Sequence, residues 1–227
     1  QNHLYKKNRP LAAGLININQ CKYFIISLLS LSILFLFDSN INFIFLIFSY
    51  FVISNAYSFI FKKYVIIDLI ILASLYTLRI IGGALITDIS LSIWLLSFSV
   101  FFFLSLAAIK RQIEIINAKK LKKKKITGRG YILEDKKIIN MIAVSSGFIS
   151  ILILVLYLNS PQILNLYSSP YFLWGVCLVV LFWISRIILI SNRGEIKDDP
   201  IIYAINDKIS YLCLLIILFI MWLGIII

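Results

Sequence analysis

Polar sequence is scarce in this chain. Of its 227 residues only 14% are charged, and the Asp and Glu total of 10 is less than half the Lys and Arg total of 22. With 61% hydrophobic residues and a mean hydropathy of +0.98, too little polar surface remains to cover a water-soluble globule, which excludes that class. Cysteines are few. Cys21, Cys177 and Cys213 lie at or inside hydrophobic runs without CxxC spacing, so neither a disulfide framework nor a zinc site is indicated, and they read as small apolar fillers. No Met precedes Met141, and Gln1 to Lys7 is neither a signal peptide nor an initiator segment, so the expectation is a chain missing an N-terminal part. Strand alternation is absent from every long apolar run, and no internal repeat is evident.

What is present is a series of hydrophobic runs: Lys22 to Phe37, Ile41 to Phe61, Tyr64 to Ile86, Ser90 to Ile109, Ile138 to Leu158, Tyr171 to Ile190 and Ile209 to Ile227. Most approach the roughly 20 residues that cross about 30 Å of hydrocarbon as a helix. Helices are the only plausible reading in lipid, where each backbone polar group must be paired locally. The expected class is therefore all-α, a polytopic transmembrane helical bundle with seven helices present.

Threading the runs alternately sorts the cations. With the N-terminal segment inside, Lys6, Lys7, Arg9 and Lys22, then Lys62 and Lys63, then the residues from Lys110 to Lys137, and finally Arg193, Lys197 and Lys208 are all inward. The outward connections Asp38 to Asn40, Thr87 to Ile89 and Asn159 to Pro170 contain no Lys or Arg, as the positive-inside bias requires. Trp94, Tyr157, Tyr167, Tyr171 and Trp174 gather near outward helix ends, where amphipathic rings set depth. The net charge of +12 would suggest nucleic acid in a soluble chain. Concentrated in inward loops, it points instead to anionic headgroups and phosphorylated substrates, with no nucleic acid.

Arg79 and Arg186 fall within the membrane, as does Asp68 near a helix end. Such charges are costly in lipid and usually face a bundle interior with partners. Asp68 and Arg79, eleven residues apart on one helix, share a face but are separated by about 17 Å of rise, too far to pair. Tyr57, Lys62 and Asp68 surround one tight inward turn, bringing a hydroxyl, a cation and a carboxylate to one interface. That set suits a phosphorylated substrate, with Lys on phosphate oxygens, Tyr donating a hydrogen bond and Asp holding a divalent cation. A purely topogenic lysine turn is the competing reading.

Lys110-Arg111-x-x-Glu114 closes the fourth helix and offers two cations for another anionic group; the alternative is a snorkelling cap with a Lys110–Glu114 surface ion pair. The lysines from Lys119 to Lys125 read mainly as a solvated topogenic loop. Gly128-Arg129-Gly130-Tyr131 is too short for a dinucleotide fingerprint and reads as a turn, with phosphate contact by Arg129 only weakly signalled. Arg193, Glu195, Asp198, Asp199 and Asp207 read as a solvated loop rather than a metal-facing turn.

At these residues the chain resembles the UbiA superfamily of intramembrane prenyltransferases. The resemblance is carried by Lys6-Lys7-Asn8-Arg9-Pro10-Leu11-Ala12-Ala13-Gly14, by Tyr57 through Lys62 to Asp68, by Leu78-Arg79-Ile80-Ile81-Gly82-Gly83, and by Ser92-Ile93-Trp94 running to Lys110-Arg111-x-x-Glu114. The last two look like the branch containing decaprenyl-phosphate phosphoribosyltransferases. Gly128-Arg129-Gly130-Tyr131, Trp183-Ile184-Ser185-Arg186 and Arg193-Gly194-Glu195 to Asp199-Pro200 look like relatives whose membrane part follows a haloacid-dehalogenase-like domain.

The resemblance covers nearly the whole chain, residues 1–227 forming one membrane domain. It implies a bundle of nine helices, of which this chain lacks the first two and the first acidic motif, with a cavity facing the cytoplasm from the cell membrane. It further implies a polyprenyl phosphate or diphosphate substrate, a phosphorylated or aromatic co-substrate, and Mg2+. Carried over residue by residue, Asp68 is the metal ligand and, with Lys62 and Tyr57, catalytic, while Lys7, Arg9, Arg79, Lys110, Arg111 and Glu114 bind substrate.

Transfer of a phosphoribosyl group from 5-phosphoribosyl diphosphate to a polyprenyl phosphate is the leading expectation. The alternative within the superfamily is alkylation of an aromatic acid of the 4-hydroxybenzoate type by a polyprenyl diphosphate. A small-solute transporter would instead predict polar residues along a whole transmembrane path and related halves with broken helices. Here the polar groups gather at one side. An inactive fragment with structural charges ranks last.

Overall fold

The computed structural model describes residues 11, 13–37, 39–122, 125–126, 128–161, 163, 167–196 and 199–226. Its long elements are α1 (Ile18–Leu36), α2 (Ile41–Phe59), α3 (Ile67–Thr87), α4 (Ile93–Lys120), α5 (Lys136–Leu158), α6 (Trp174–Arg193), the short α7 (Pro200–Asn206) and α8 (Lys208–Ile226). Seven of these helices are long and apolar enough to cross a membrane. No strand forms among the described residues, whose one bridge joins Lys125 and Ile132. The all-α helical bundle anticipated from the runs is therefore what the chain forms.

Local chemistry sets several helix starts. The Ser92 hydroxyl accepts from Trp94 N–H at 3.2 Å and caps α4, while Asn40 does the same for Asn42 at the head of α2. At α7 the Asp199 carboxylate accepts from Ile201 N–H at 2.9 Å, and Pro200 occupies the first turn, where its missing N–H has no helical partner to lose. Gly194, at φ +74, ends α6 in the left-handed conformation that a Cβ disfavours.

Helix α4 organises the packing. It lies against α3, α5 and α6, α2 covers α3, and α8 covers α6. Leu106, Ala107, Ala108, Ile109, Ile113 and Ile115 of α4 form the core with Leu69 of α3, Ile139 and Ala143 of α5, and Ile184 and Ile187 of α6. Small residues bring these backbones close. A Cβ on Gly147 of α5 would stand 2.9 Å from Ile184 Cγ2 and 3.0 Å from Ser105 Oγ, so all three helices depend on its absence. The Ser105 hydroxyl donates across the same crossing to the Ala143 carbonyl at 2.8 Å.

The fourth apolar run ends at Ile109, yet α4 continues to Lys120. Ile113, Ile115 and Ala118 keep one face of the extension apolar and buried, so the helix persists beyond the last strongly hydrophobic stretch with Lys110, Arg111, Gln112 and Glu114 upon it. Outward, large apolar side chains such as Phe45, Phe59, Ile93, Leu178 and Leu215 are exposed, an arrangement suited to lipid. Helix α1 buries none of its described residues within the chain.

The ends of α2, α4 and α6 meet the starts of α3, α5 and α7 at one end of the bundle, which the lysines make basic. Cross-links there include Lys120 Nζ donating to the Gly194 carbonyl at 2.8 Å. At the opposite end Ser168 and Ser169 bond the backbone of Ile225 and Gly224, and Tyr171 and Trp174 stand exposed.

Candidate functional site

The turn between α2 and α3 determines where the first groups fall. A 3-10 segment, Phe61–Lys63, reverses the chain, and Ile66 then takes φ +69, a left-handed conformation that a β-branched residue rarely adopts. Its N–H donates to the Tyr131 hydroxyl at 3.2 Å, so a residue far along the sequence holds this strained turn. Helix α3 begins immediately afterwards, placing Asp68 in its first turn and fully buried.

Asp68 faces Tyr57 of α2, whose hydroxyl donates to Oδ1 at 2.8 Å. From α4, the buried Arg111 donates through Nε to Asp68 Oδ2, through Nη2 to Oδ1 at 3.3 Å, and through Nη2 to the Tyr57 hydroxyl at 3.0 Å. A second guanidinium comes from outside the helices. Arg129 Nη1 donates to Asp68 Oδ1 at 2.9 Å and to the Tyr57 hydroxyl at 3.1 Å. Glu114, one turn beyond Arg111, lies 2.5 Å from Arg111 Nη1 and 2.9 Å from Arg129 Nε. Two carboxylates and two guanidiniums thus neutralise one another around a tyrosine hydroxyl. Their charged hydrogen bonds offset a desolvation that each ion alone would find prohibitive.

The segment carrying Arg129 is seated by shape. A Cβ on Gly130 would stand 2.4 Å from the Lys63 carbonyl oxygen, closer than any real contact, so only glycine lets this strand of chain lie on the α2–α3 turn. Tyr131 is fully buried beside it, and that burial pushes its phenol well above the usual tyrosine range.

Of the residues singled out in the sequence, Tyr57, Asp68, Arg111 and Glu114 converge. Lys62 lies on the adjoining turn without an ion pair to Asp68 among the described residues. Lys7 and Arg9 lie outside the described residues. Arg79 is apart from the cluster: it donates to the Tyr50 hydroxyl from Nη2 at 2.7 Å and sits over the Tyr50 and Tyr76 rings at 5.6 and 5.1 Å. Its cationic surface is satisfied by aromatics rather than acids.

Two local expectations change, and the alternative reading of Lys110 falls away. Lys110 does not pair with Glu114; it reaches Asp199 at 2.6 Å, tying α4 to the head of α7 while Glu114 turns to the arginines. Asp199 and Asp207 are not merely solvated loop acids, since Asp199 caps α7 and Asp207 binds Arg186 of α6 at 2.6 and 3.0 Å. The Asp-Pro pair at the α7 start was the available signal for the cap. Arg129 is more than a turn residue, and nothing in local spacing could reveal its partners Asp68 and Tyr57, which lie 61 and 72 positions earlier.

The magnesium implied by the resemblance does not fit the described donors as arranged. No group of three His, Cys, Asp or Glu residues among them could hold a metal ion, and both Asp68 oxygens are already taken by guanidinium groups. Asp68 is instead paired with the guanidiniums of Arg111 and Arg129.

Comparison with known proteins places this geometry in context. The sequence model described as the UbiA prenyltransferase family matches residues 3–205. The chain is 36% identical over 210 residues to the uncharacterized protein y4nM of Sinorhizobium fredii, covering 92% of this chain and 41% of that protein. It is 34% identical over 150 residues to the nodulation protein NoeC of Azorhizobium caulinodans, covering 66% of this chain and 49% of NoeC. The chain thus spans less than half the length of each of these relatives.

Proposed function

The chain belongs to the UbiA prenyltransferase family of integral membrane proteins, and from that premise we propose that it transfers a phosphoribosyl group from 5-phosphoribosyl diphosphate to a polyprenyl phosphate. The observation that carries this reading is the buried Tyr57–Asp68–Arg111–Glu114 network at the basic end, where two carboxylates fix the guanidiniums of Arg111 and Arg129. The description of the family as prenyltransferases is consistent with a polyprenyl lipid substrate.

In this reading an oxygen of the lipid phosphate attacks the anomeric carbon of the donor. The new C–O bond forms as the bond from that carbon to diphosphate breaks, and the leaving diphosphate takes the electron pair. Negative charge builds on the departing group, so preorganised cations are the useful protein contribution. Asp68 and Glu114 hold the buried Arg111 guanidinium in one orientation, so it anchors the network beneath the site. Tyr57 adds a hydroxyl beside it. Lys62 on the turn, Lys110 held by Asp199, and Lys7 and Arg9 supply further phosphate contacts. Arg79, deeper along α3 and packed on two tyrosines, meets the lipid substrate. The basic end faces the cytoplasm from the cell membrane, where the phosphorylated donor is available.

The test supplies radiolabelled 5-phosphoribosyl diphosphate and a polyprenyl phosphate to membranes containing the full-length protein. Labelled lipid product is expected. Its absence, together with prenylation of an aromatic acid when a polyprenyl diphosphate is supplied, would overturn the phosphoribosyl assignment.

A further inference from the structure

We propose that Arg129 is the phosphate-gripping arm of this site, held over it by Gly130 and Tyr131, and that it exchanges its carboxylate partners for a phosphate of the substrate while Arg111 stays in place. The inference rests on the reading of the basic end as a site for phosphorylated substrates.

The two guanidiniums on Asp68 are not equivalent. Arg111 is wholly buried on the inner face of α4, and among the described residues it alone contacts both Asp68 oxygens. Arg129 comes from the connection between α4 and α5 and keeps 17% of its side chain exposed. If Arg129 turns away, Asp68 retains Arg111 on both oxygens and Tyr57 on one, so no buried carboxylate is stranded. Loss of Arg111 would remove the buried anchor instead. Arg129 is the cation that the network can release.

A phosphate can draw it away. Phosphate offers more charge than one carboxylate and a geometry that a guanidinium fork meets with two parallel hydrogen bonds. Arg129 already touches the Tyr57 hydroxyl, so a group it grips would lie beside that second donor.

The mounting of the arm supports the same role. Gly130 lies so close to the Lys63 carbonyl that a Cβ would fall 2.4 Å from the oxygen and 3.2 Å from Val65 Cγ2. Tyr131, fully buried, accepts from Ile66 N–H on the same turn. Arg129 is thereby delivered next to the turn that carries Lys62 and Lys63, with its neighbours fixed and its own side chain partly exposed.

The full-length protein in detergent micelles, in magnesium-containing buffer, is titrated calorimetrically with inorganic diphosphate. Arg129→Gln is expected to weaken binding by about 10- to 100-fold, the size of lost charge-assisted hydrogen bonds. Arg129→Lys should recover part of that loss, and Gly130→Ala should weaken binding by lifting the segment from Lys63. The melting temperatures of both Arg129 variants should stay within about 4 °C of the unaltered protein.

Unchanged affinity in Arg129→Gln overturns the assignment, as does an absence of diphosphate binding by the unaltered protein. Equal loss of binding in Arg129→Lys and Arg129→Gln with a larger fall in melting temperature also overturns it, since it makes the residue structural. Arg129-dependent diphosphate binding without labelled lipid from phosphoribosyl diphosphate supports the arm and overturns the phosphoribosyl reading alone. Labelled lipid formed with Arg129-independent binding does the reverse.

Discussion

At Asp68 the decisive quantity is how many cations one buried carboxylate holds. It is bonded by Arg111, Arg129 and Tyr57 with no exposure of its own, so its charge is the fixed point about which both guanidiniums are arranged. Replacement by an isosteric amide keeps the shape and removes that charge. Asp68→Asn in the full-length protein is expected to lower turnover more than about 100-fold and to cost about 3–5 kcal/mol of stability, because the arginines lose a buried counter-ion. Membrane insertion should persist. Radiolabelled product formation and thermal unfolding in detergent measure the two effects, and turnover within a few fold of the unaltered protein would remove Asp68 from the mechanism. The sequence pointed to Tyr57, Asp68, Arg111 and Glu114 through their positions at helix ends. Arg129 was obscured because a glycine-flanked arginine in a turn carries no local mark of a partner on another helix.

At the scale of elements, ion pairs join helices that hydrophobic packing alone would leave free to slide. Lys110–Asp199 connects α4 to α7, and Arg186–Asp207 connects α6 to the junction before α8. The hydrogen bond from Arg186 holds the Asp207 carboxyl below its ordinary value, helped by the Ser210 hydroxyl and N–H. A depressed carboxyl contributes stability that is present above its unfolded value and is lost as pH falls through the folded one. The contribution of this pair should therefore be constant from neutral pH down to about pH 4 and vanish below it. Thermal unfolding of the unaltered protein and Asp207→Asn across this range checks the sign: their melting temperatures should differ at pH 7 and converge in acid. A constant difference would show that Asp207 does not titrate in the linkage. The extension of α4 past Ile109 belongs to this scale too, since it depends on Ile113, Ile115 and Ala118 finding an apolar surface to cover.

For the whole molecule, helix length and apolar character suit a bilayer, and the placement of Lys and Arg gives an expected orientation that labelling tests. A single cysteine introduced at Ile89, with Cys21, Cys177 and Cys213 replaced by Ala, should react with a membrane-impermeant maleimide from outside intact cells, whereas one at Lys122 should react only after permeabilisation. The reverse pattern would invert the basic end and remove the cytoplasmic assignment. Composition, run length and the Lys and Arg ledger were enough to determine an all-α membrane bundle and its expected orientation, because hydrocarbon admits few backbone solutions and each run carries its own apolar length. Only tertiary structure decided which charges face one another. Asp68 and Arg79 share a helix yet take different neighbours, and Lys110 passes over Glu114 for Asp199. Arg129 crosses from a connecting segment to complete a network begun on α2, α3 and α4. Those pairings arise from the packing of separate helices, a long-range geometry that residue spacing along one chain does not contain.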